Sequence, residues 1–233
     1  MTRACALFSF VAVAALAAAV PAQQVGYPPA ASPYQDFSNK QEFTLYTGYF
    51  TGATGRAGVG PQGSLLLGVR YGIKLGGPVE ADAHISRAFT QREVLSPDDI
   101  PSQRDRGNIS LPLYMADLGL SFNMTGAKSW HHLIPTFGFG GGVVSDAGAA
   151  KDLSGYHVGT QFAITFGAGL RYVPGGHWSL RAELGDWMFQ TQYPNSFFVA
   201  PPGLKSVLPA SSAQNQWLHN GVLTLGVSYL VGR

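Results

Sequence analysis

The sequence predicts an all-β chain: an eight-stranded antiparallel up-and-down transmembrane β-barrel with short periplasmic turns and long extracellular loops. Three observations predict it. Apolar and polar positions alternate with a period of two, most plainly at Leu65, Leu67, Val69, Tyr71, Ile73 and Leu75 against Gly68, Arg70, Gly72 and Lys74. A strand sends successive side chains to opposite faces, so this segment has one greasy face and one that tolerates full charge. Such segments recur along the chain, separated by connections that are alternately short and long. Finally, only 12% of residues are charged, about half the share of a soluble domain, while glycine numbers 30.

The eight segments follow in order. The first, 41–51, turns Phe43, Leu45, Thr47 and Tyr49 to one side. The second, 64–75, ends at Gly76-Gly77-Pro78, a tight turn by composition. The third, 79–91, places Val79, Ala81, Ala83, Ile85 and Phe89 outward and Glu80, Asp82, His84, Ser86 and Thr90 inward. In the fourth, 111–124, Tyr114, Ala116, Leu118, Leu120, Phe122 and Met124 face out; a turn over Thr125–Ser129 closes it. The fifth, 131–144, contains Pro135, which cannot donate to a ladder and predicts a bulge or a later strand start. The sixth, 158–172, ends at Val173-Pro174-Gly175-Gly176. The seventh, 177–191, sets Trp178, Leu180, Ala182 and Leu184 against Ser179, Arg181, Glu183 and Gly185, and the eighth, 217–231, sets Leu223, Leu225, Val227, Tyr229 and Val231 against Asn220, Thr224, Gly226 and Ser228.

Short turns fall after the even segments and long loops after the odd ones, the habit of bacterial outer-membrane barrels, so both chain ends are expected in the periplasm. Trp130, Tyr172, Trp178 and Tyr229 then mark the periplasmic rim, and Tyr49, Phe89, Trp187, Phe189 and Trp217 the outer rim. A basic Arg3, an uncharged run from Ala4 to Val20 and Val20-Pro21-Ala22 before Gln23 read as a secretory signal peptide over 1–22, cleaved after Ala22. Residues 23–40 read as a periplasmic leader without regular structure, and 41–233 as the barrel. Cys5, the single cysteine, lies in the signal, which leaves the mature chain without a thiol for a disulfide, a metal or a nucleophile.

Near its end, Thr224-Leu225-Gly226-Val227-Ser228-Tyr229-Leu230-Val231 resembles the C-terminal signal by which assembly machinery recognises outer-membrane barrels, carried by Gly226, Tyr229 and Val231, although Gly232 and Arg233 follow where that family ends on an aromatic residue. Over residues 41–231 the pattern resembles the eight-stranded OmpA/OmpX type. That resemblance implies residence in the outer membrane as a monomer, with lipid and lipopolysaccharide as surroundings, the barrel assembly machinery as a partner during biogenesis, and a structural or surface-interaction role. A narrow porin-like channel and a lipid A-modifying acyl hydrolase or acyltransferase are the alternatives that the same architecture hosts.

The inward set holds Arg70, Lys74, Arg171 and Arg181 beside Glu80, Asp82, Asp117 and Glu183. An eight-stranded barrel is just wide enough to be filled by side chains, and buried charges must pair or lose several kcal/mol each in desolvation. A salt-bridge network plugging the lumen is expected, with inward glycines making room for the arginines. For catalysis the sequence offers His177-Trp178-Ser179 with Glu183, which falls at the periplasmic rim although lipid A occupies the outer leaflet, and Asp82, His84 and Ser86. Side chains two apart on a strand start about 6.5–7 Å from one another, long for a nucleophile and its base. No catalytic residue, metal site or cofactor is therefore assigned. His131-His132 reads as a polar rim, and glycine stretches at 52–60 and 137–142 lack a nucleotide-binding context. A formal charge of +2 with no basic block excludes nucleic acid as an expected partner. Specificity rests with the loops at 92–108 and 192–215, the first of mixed charge with Asp98, Asp99 and Asp105 open to a divalent cation, the second offering Phe197-Phe198 to extracellular ligands.

Overall fold

The computed structural model describes residues 32–232. The expected signal peptide and the first part of the expected leader lie outside the described residues. The strands are β1 (Tyr34–Asp36), β2 (Gln41–Phe50), β3 (Ser64–Gly76), β4 (Val79–Leu95), β5 (Asp105–Asn123), β6 (Lys128–Trp130), β7 (Leu133–Ser145), β8 (Thr160–Gly175), β9 (Trp178–Gln192) and β10 (Asn215–Val231). Every pairing is antiparallel. Strand neighbours run β7-β5-β4-β3-β2-β10-β9-β8, and β8 returns to β7, closing a ring of eight. Closure leaves no unpaired edge, the condition for a sheet to stand in lipid. The outward positions are exposed and apolar, among them Leu45, Leu65, Ile85, Leu118, Phe162, Leu184 and Leu225. The alternation sends the polar partners inward, where Arg70, Glu80, Arg171 and Arg181 are buried.

Two of the three short connections are minimal. Gly77 and Gly176 take left-handed φ values of 54° and 64°, a conformation glycine adopts without a Cβ clash. The third is more elaborate than its sequence suggests. After β5 the chain makes β6, reverses at His131-His132, and enters β7 with Trp130 paired to Leu133. Both histidines have positive φ, 48° and 67°, the geometry of a two-residue type I′ hairpin, which is why β7 begins at Leu133 instead of 131. Nor does the leader lack regular structure throughout: Tyr34–Asp36 pairs with Lys128–Trp130.

Pro135 causes no bulge; the strand does start later than 131, but at Leu133, with Pro135 inside it. The Pro135 carbonyl accepts from Met124 N at 2.9 Å, just past the last β5–β7 ladder pair, Asn123 with Thr136. The missing N–H therefore falls where the neighbouring chain turns away, just beyond the end of the β5–β7 ladder. At the other end, β4 and β5 run further than the sequence indicates, so Arg92, Glu93, Asp105 and Arg106 are strand residues and the loop proper is 96–104. The remaining long loops are 51–63, 146–159 and 193–214.

Left-handed φ costs a non-glycine residue about 1–2 kcal/mol. Replacing His131-His132 by Asn-Gly should therefore stabilise the folded barrel by about 1 kcal/mol, read as a higher urea midpoint in micelles; an unchanged or lower midpoint would mean that the histidine rings contribute more than the turn geometry costs.

Candidate functional site

The lumen is the candidate site, and it is filled in layers. At the turn end, Phe37 from the leader meets Ile134, Val173 and Leu230 in a small apolar cluster. Phe37 is held there by its N–H donating to Ala127 O at 2.8 Å and by Lys74 Nζ donating to its carbonyl at 3.1 Å. Lys74 thus serves the leader and lies outside the charge network that the sequence suggests for it.

Above this lid, two carboxylates share three guanidiniums. Glu42 Oε2 lies 2.9 Å from Arg171, 3.3 Å from Arg181 and 3.4 Å from Arg70. Glu80 Oε2 lies 2.6 Å from Arg171, 3.6 Å from Arg70 and 3.9 Å from Arg181. Arg70 also pairs with Asp82, and Arg181 with Glu183 at 2.5 Å. Ser179 Oγ donates to Glu42 at 3.4 Å, and Asn123 Nδ2 to Glu80 at 2.9 Å. Arg171 stands over the Phe37 ring, 5.2 Å from its centroid. Glu42 is the residue that sequence reasoning passed over. Its signal was present: Phe43 and Leu45 face out, so parity alone sends Glu42 in.

Next along the axis is a cavity of about 120 Å³ lined by Tyr46, His84, Asp117, Thr165, Glu183 and Trp187 among others. Thr165 Oγ1 donates to Asp117 Oδ2 at 3.0 Å; Asp117 Oδ1 is 3.1 Å from His84 Nδ1, within ion-pair reach but off hydrogen-bond alignment. Inward glycines make room mainly for other groups than arginine. The Tyr46 ring lies on Gly68, and a Cβ at Gly169 would sit 2.7 Å from Glu183 Cγ; Gly72 alone of these three abuts Arg70.

The loop end is an apolar plug. Strand residues Phe50, Leu66, Leu111, Leu113, Met115, Val144 and Phe189 join Val59, Tyr156, Val158, Tyr193, Phe197 and Leu208 from three different loops. Trp187 belongs to this cluster at 9% exposure, not to the outer aromatic rim, and Phe189 is fully buried. The physical reason is parity: Trp178 and Leu180 face lipid, so odd-numbered positions of β9 face the lumen. Phe197 is likewise buried and not free for a partner, with Phe198 packed against the same cluster. By contrast, Trp130, Tyr172, Trp178, Trp217 and Tyr229 are exposed on the outer face. Trp178 packs edge-on to Tyr229 at 5.2 Å, and the turn residues His131 and His132 pack on Trp130 and Tyr172.

Polar anchors tie the plug down. Arg92 pairs with Asp152 and donates to Tyr156 O at 2.9 Å, while Tyr156 OH is 2.6 Å from Thr191 Oγ1. Burial pushes the Tyr156 hydroxyl up to about 12. In the loop over β4 and β5, Asp99 is engaged by Arg106 at 2.5 Å, and Asp105 accepts from Gly107 N, so the three aspartates there do not converge. A hydrogen bond from Ser96, then that from Arg106, holds Asp99 below the usual carboxylate range.

The catalytic arrangements considered from sequence are not assembled. Ser179 is directed to Glu42, Glu183 to Arg181, and His177 Nδ1 lies 3.1 Å from Leu230 O. His84 faces Asp117 rather than Asp82, which is bound to Arg70.

A closed antiparallel ring with an apolar outer face, aromatic rims and a charged interior defines a membrane-spanning β-barrel of the outer-membrane type. The chain belongs to the outer membrane protein beta-barrel domain family, whose profile matches residues 4–229. Among solved structures it is similar to OprG of Pseudomonas aeruginosa (12% identity, TM-score 0.50, covering 84% of this chain and 99% of that one). Neisserial surface protein A is similar at 11% identity and TM-score 0.49 over 81% and 96% of the two chains. The N-terminal β-barrel domain of Pseudomonas aeruginosa OprF is similar at 15% and 0.48 over 84% and 99%. At such identities the likeness is one of fold. No curated protein matches the sequence.

Removing one partner of a buried ion pair costs about 3–5 kcal/mol, because the other charge is left uncompensated. Glu42→Gln should fall in that range, as Glu42 faces three arginines, whereas Glu183→Gln, whose side chain is 31% exposed, should cost less than half as much. Urea unfolding in micelles measures both; equal losses would mean that Glu42 is not the hub. Tyr156 supplies a pH dependence. Its folded pKa of about 12 lies above the ordinary 10.0, so its contribution is complete below pH 10 and is lost as pH rises through 12. Protease cleavage of loop 146–159 should accelerate over that window in the wild type, and Tyr156→Phe should flatten the rise.

Proposed function

We propose that this outer-membrane barrel has a structural or surface-interaction role, with its lumen plugged. The observation that carries this reading is the layered fill: an apolar lid, a shared arginine–carboxylate cluster and a second apolar plug stand in series along one axis. An ion on that path would have to break paired charges and cross two layers without polar partners, each of which opposes a hydrated ion by desolvation. Residues 1–22 serve as a cleaved export signal and 23–40 lead into the barrel on the periplasmic side. Gly226, Tyr229 and Val231 are read by the assembly machinery, and the barrel works as a monomer. The long-loop end faces the exterior, where Ile100, Leu153 and Val199 are exposed and offer contact to extracellular ligands.

A narrow channel for small solutes is the second reading, favoured by the cavity beside Asp117 and Glu183. Against it stand the arginine–carboxylate cluster on one side of that cavity, with the apolar lid beyond it, and the apolar plug on the other. An acyl hydrolase or acyltransferase acting on lipid A is disfavoured by the engagement of Ser179 and Glu183 within the ion-pair cluster.

Planar-bilayer recording of the refolded chain separates these readings. The wild type should be silent. Three barriers in series mean that Phe37→Ala alone and a Tyr193→Ala/Phe197→Ala pair alone should stay silent too, while discrete openings should appear only when both are combined with Arg171→Ala, which opens the charge cluster between them. Openings in the wild type would overturn the plugged-lumen reading.

A further inference from the structure

The outward series of β4 runs Val79, Ala81, Ala83, Ile85 and then Arg87, a full charge among lipid-facing side chains. Across the ladder Arg87 is paired with Leu67 of β3 and Tyr114 of β5, and Phe89 follows two positions further on. All three neighbours are exposed on the outer face. The guanidinium carbon stands 4.9 Å from the Phe89 centroid and 5.3 Å from that of Tyr114. Phe89 is nearer the long loops than Arg87, so the side chain leans along its strand toward that rim, as a cation does when it reaches for the polar side of an interface.

Among the described residues Arg87 has neither an ion pair nor a hydrogen bond. That sets it apart. Arg70, Arg92, Arg106, Arg171 and Arg181 all pair with carboxylates. Asp186, also turned outward near the loop end, has His219 Nδ1 at 2.6 Å as its partner. A guanidinium cannot shed its proton, and a charge on the lipid face is tolerated best at the headgroup level. The counter-charge must then come from the membrane. Rings beneath the guanidinium fix its position and leave its N–H edge free, and that edge matches the oxygens of a phosphate in a forked pair of bonds.

We propose that Arg87, steadied by Phe89 and Tyr114, binds the phosphate of an outer-leaflet glycolipid, the lipid A part of lipopolysaccharide. The site rests on the reading that the long loops face the exterior. Its chemistry can be tested without that reading, because a nanodisc offers lipid at both ends of the barrel.

The test is native mass spectrometry of the refolded chain in phosphatidylcholine nanodiscs carrying lipid A, phosphate-free lipid A or phosphatidylglycerol. Heat-modifiable gel mobility verifies that each variant is folded. Wild type should retain lipid A over the phosphate-free form, Arg87→Gln should lower that retention about tenfold, and Arg87→Lys should lose less, since a charge-assisted bond is worth roughly a decade of affinity. Unchanged retention by folded Arg87→Gln overturns the site. Equal retention of phosphate-free lipid A overturns the role of phosphate, and equal retention of phosphatidylglycerol overturns the assignment to the glycolipid. Surface labelling of a cysteine placed in loop 193–214 on intact cells reads the orientation separately.

Discussion

Everything in the lower lumen depends on the sharing of two carboxylates among three arginines. Glu42 comes from β2, Arg70 from β3, Glu80 from β4, Arg171 from β8 and Arg181 from β9. The cluster therefore spans the barrel, joining walls that have no ladder between them. No single pair in it would repay the desolvation of its two charges. The stability of the arrangement is collective, since each oxygen that faces more than one guanidinium offsets the field of several at once. Burial of the arginines is complete enough that water cannot substitute for a missing partner: the Arg171 side chain has no exposed surface and that of Glu42 only 1%.

Hydrocarbon outside and charge inside explain how much of this was legible in the sequence. Lipid imposes the two-residue period on every spanning segment, so the strands, their inward set and ring closure follow from local alternation. The same rule, applied without exception, would also have found Glu42 and turned Trp187 inward. Reading chemistry ahead of parity hid both: tryptophan suggests an interface, and Phe43 draws the eye from the residue before it. Arg87 is the converse case, a residue that parity puts outward although its charge argues against it. Where the two signals conflict, parity describes position and the charge describes what must be nearby.

The outer plug was not legible for a different reason. Val59, Tyr156, Tyr193, Phe197 and Leu208 lie in loops with no period, and their convergence depends on how three separate connections fold over one opening. The sequence did register Phe197-Phe198 there, but an apolar loop residue can face a partner or its own barrel. Polar anchors decide the matter in this chain. Arg56 N donates to Tyr193 OH at 2.9 Å and Tyr193 OH to Gln216 at 2.8 Å, so the loop over β2 and the loop before β10 are fastened to the same hydroxyl. The loops are thus a second core, built on the rim of the first.

Closure of the ring sets the folding problem. The seam between β2 and β10 joins the two ends of the barrel sequence, with Tyr229 opposite Phe43, Gly226 opposite Tyr46 and Val231 opposite Gln41. Inside the seam, the Thr44 and Ser228 hydroxyls bond at 2.9 Å across 184 positions of chain. Contacts so distant in sequence are reached late, because loop-closure entropy is spent before they form. Until then both seam strands expose backbone donors and acceptors that lipid cannot satisfy. The residues resembling an assembly signal all lie on β10. A factor that recognised them would hold one of the two strands whose open edges the unfinished barrel cannot yet protect, and Glu42, one position before Phe43 in the seam, could join all three of its arginines only as that strand is released into place.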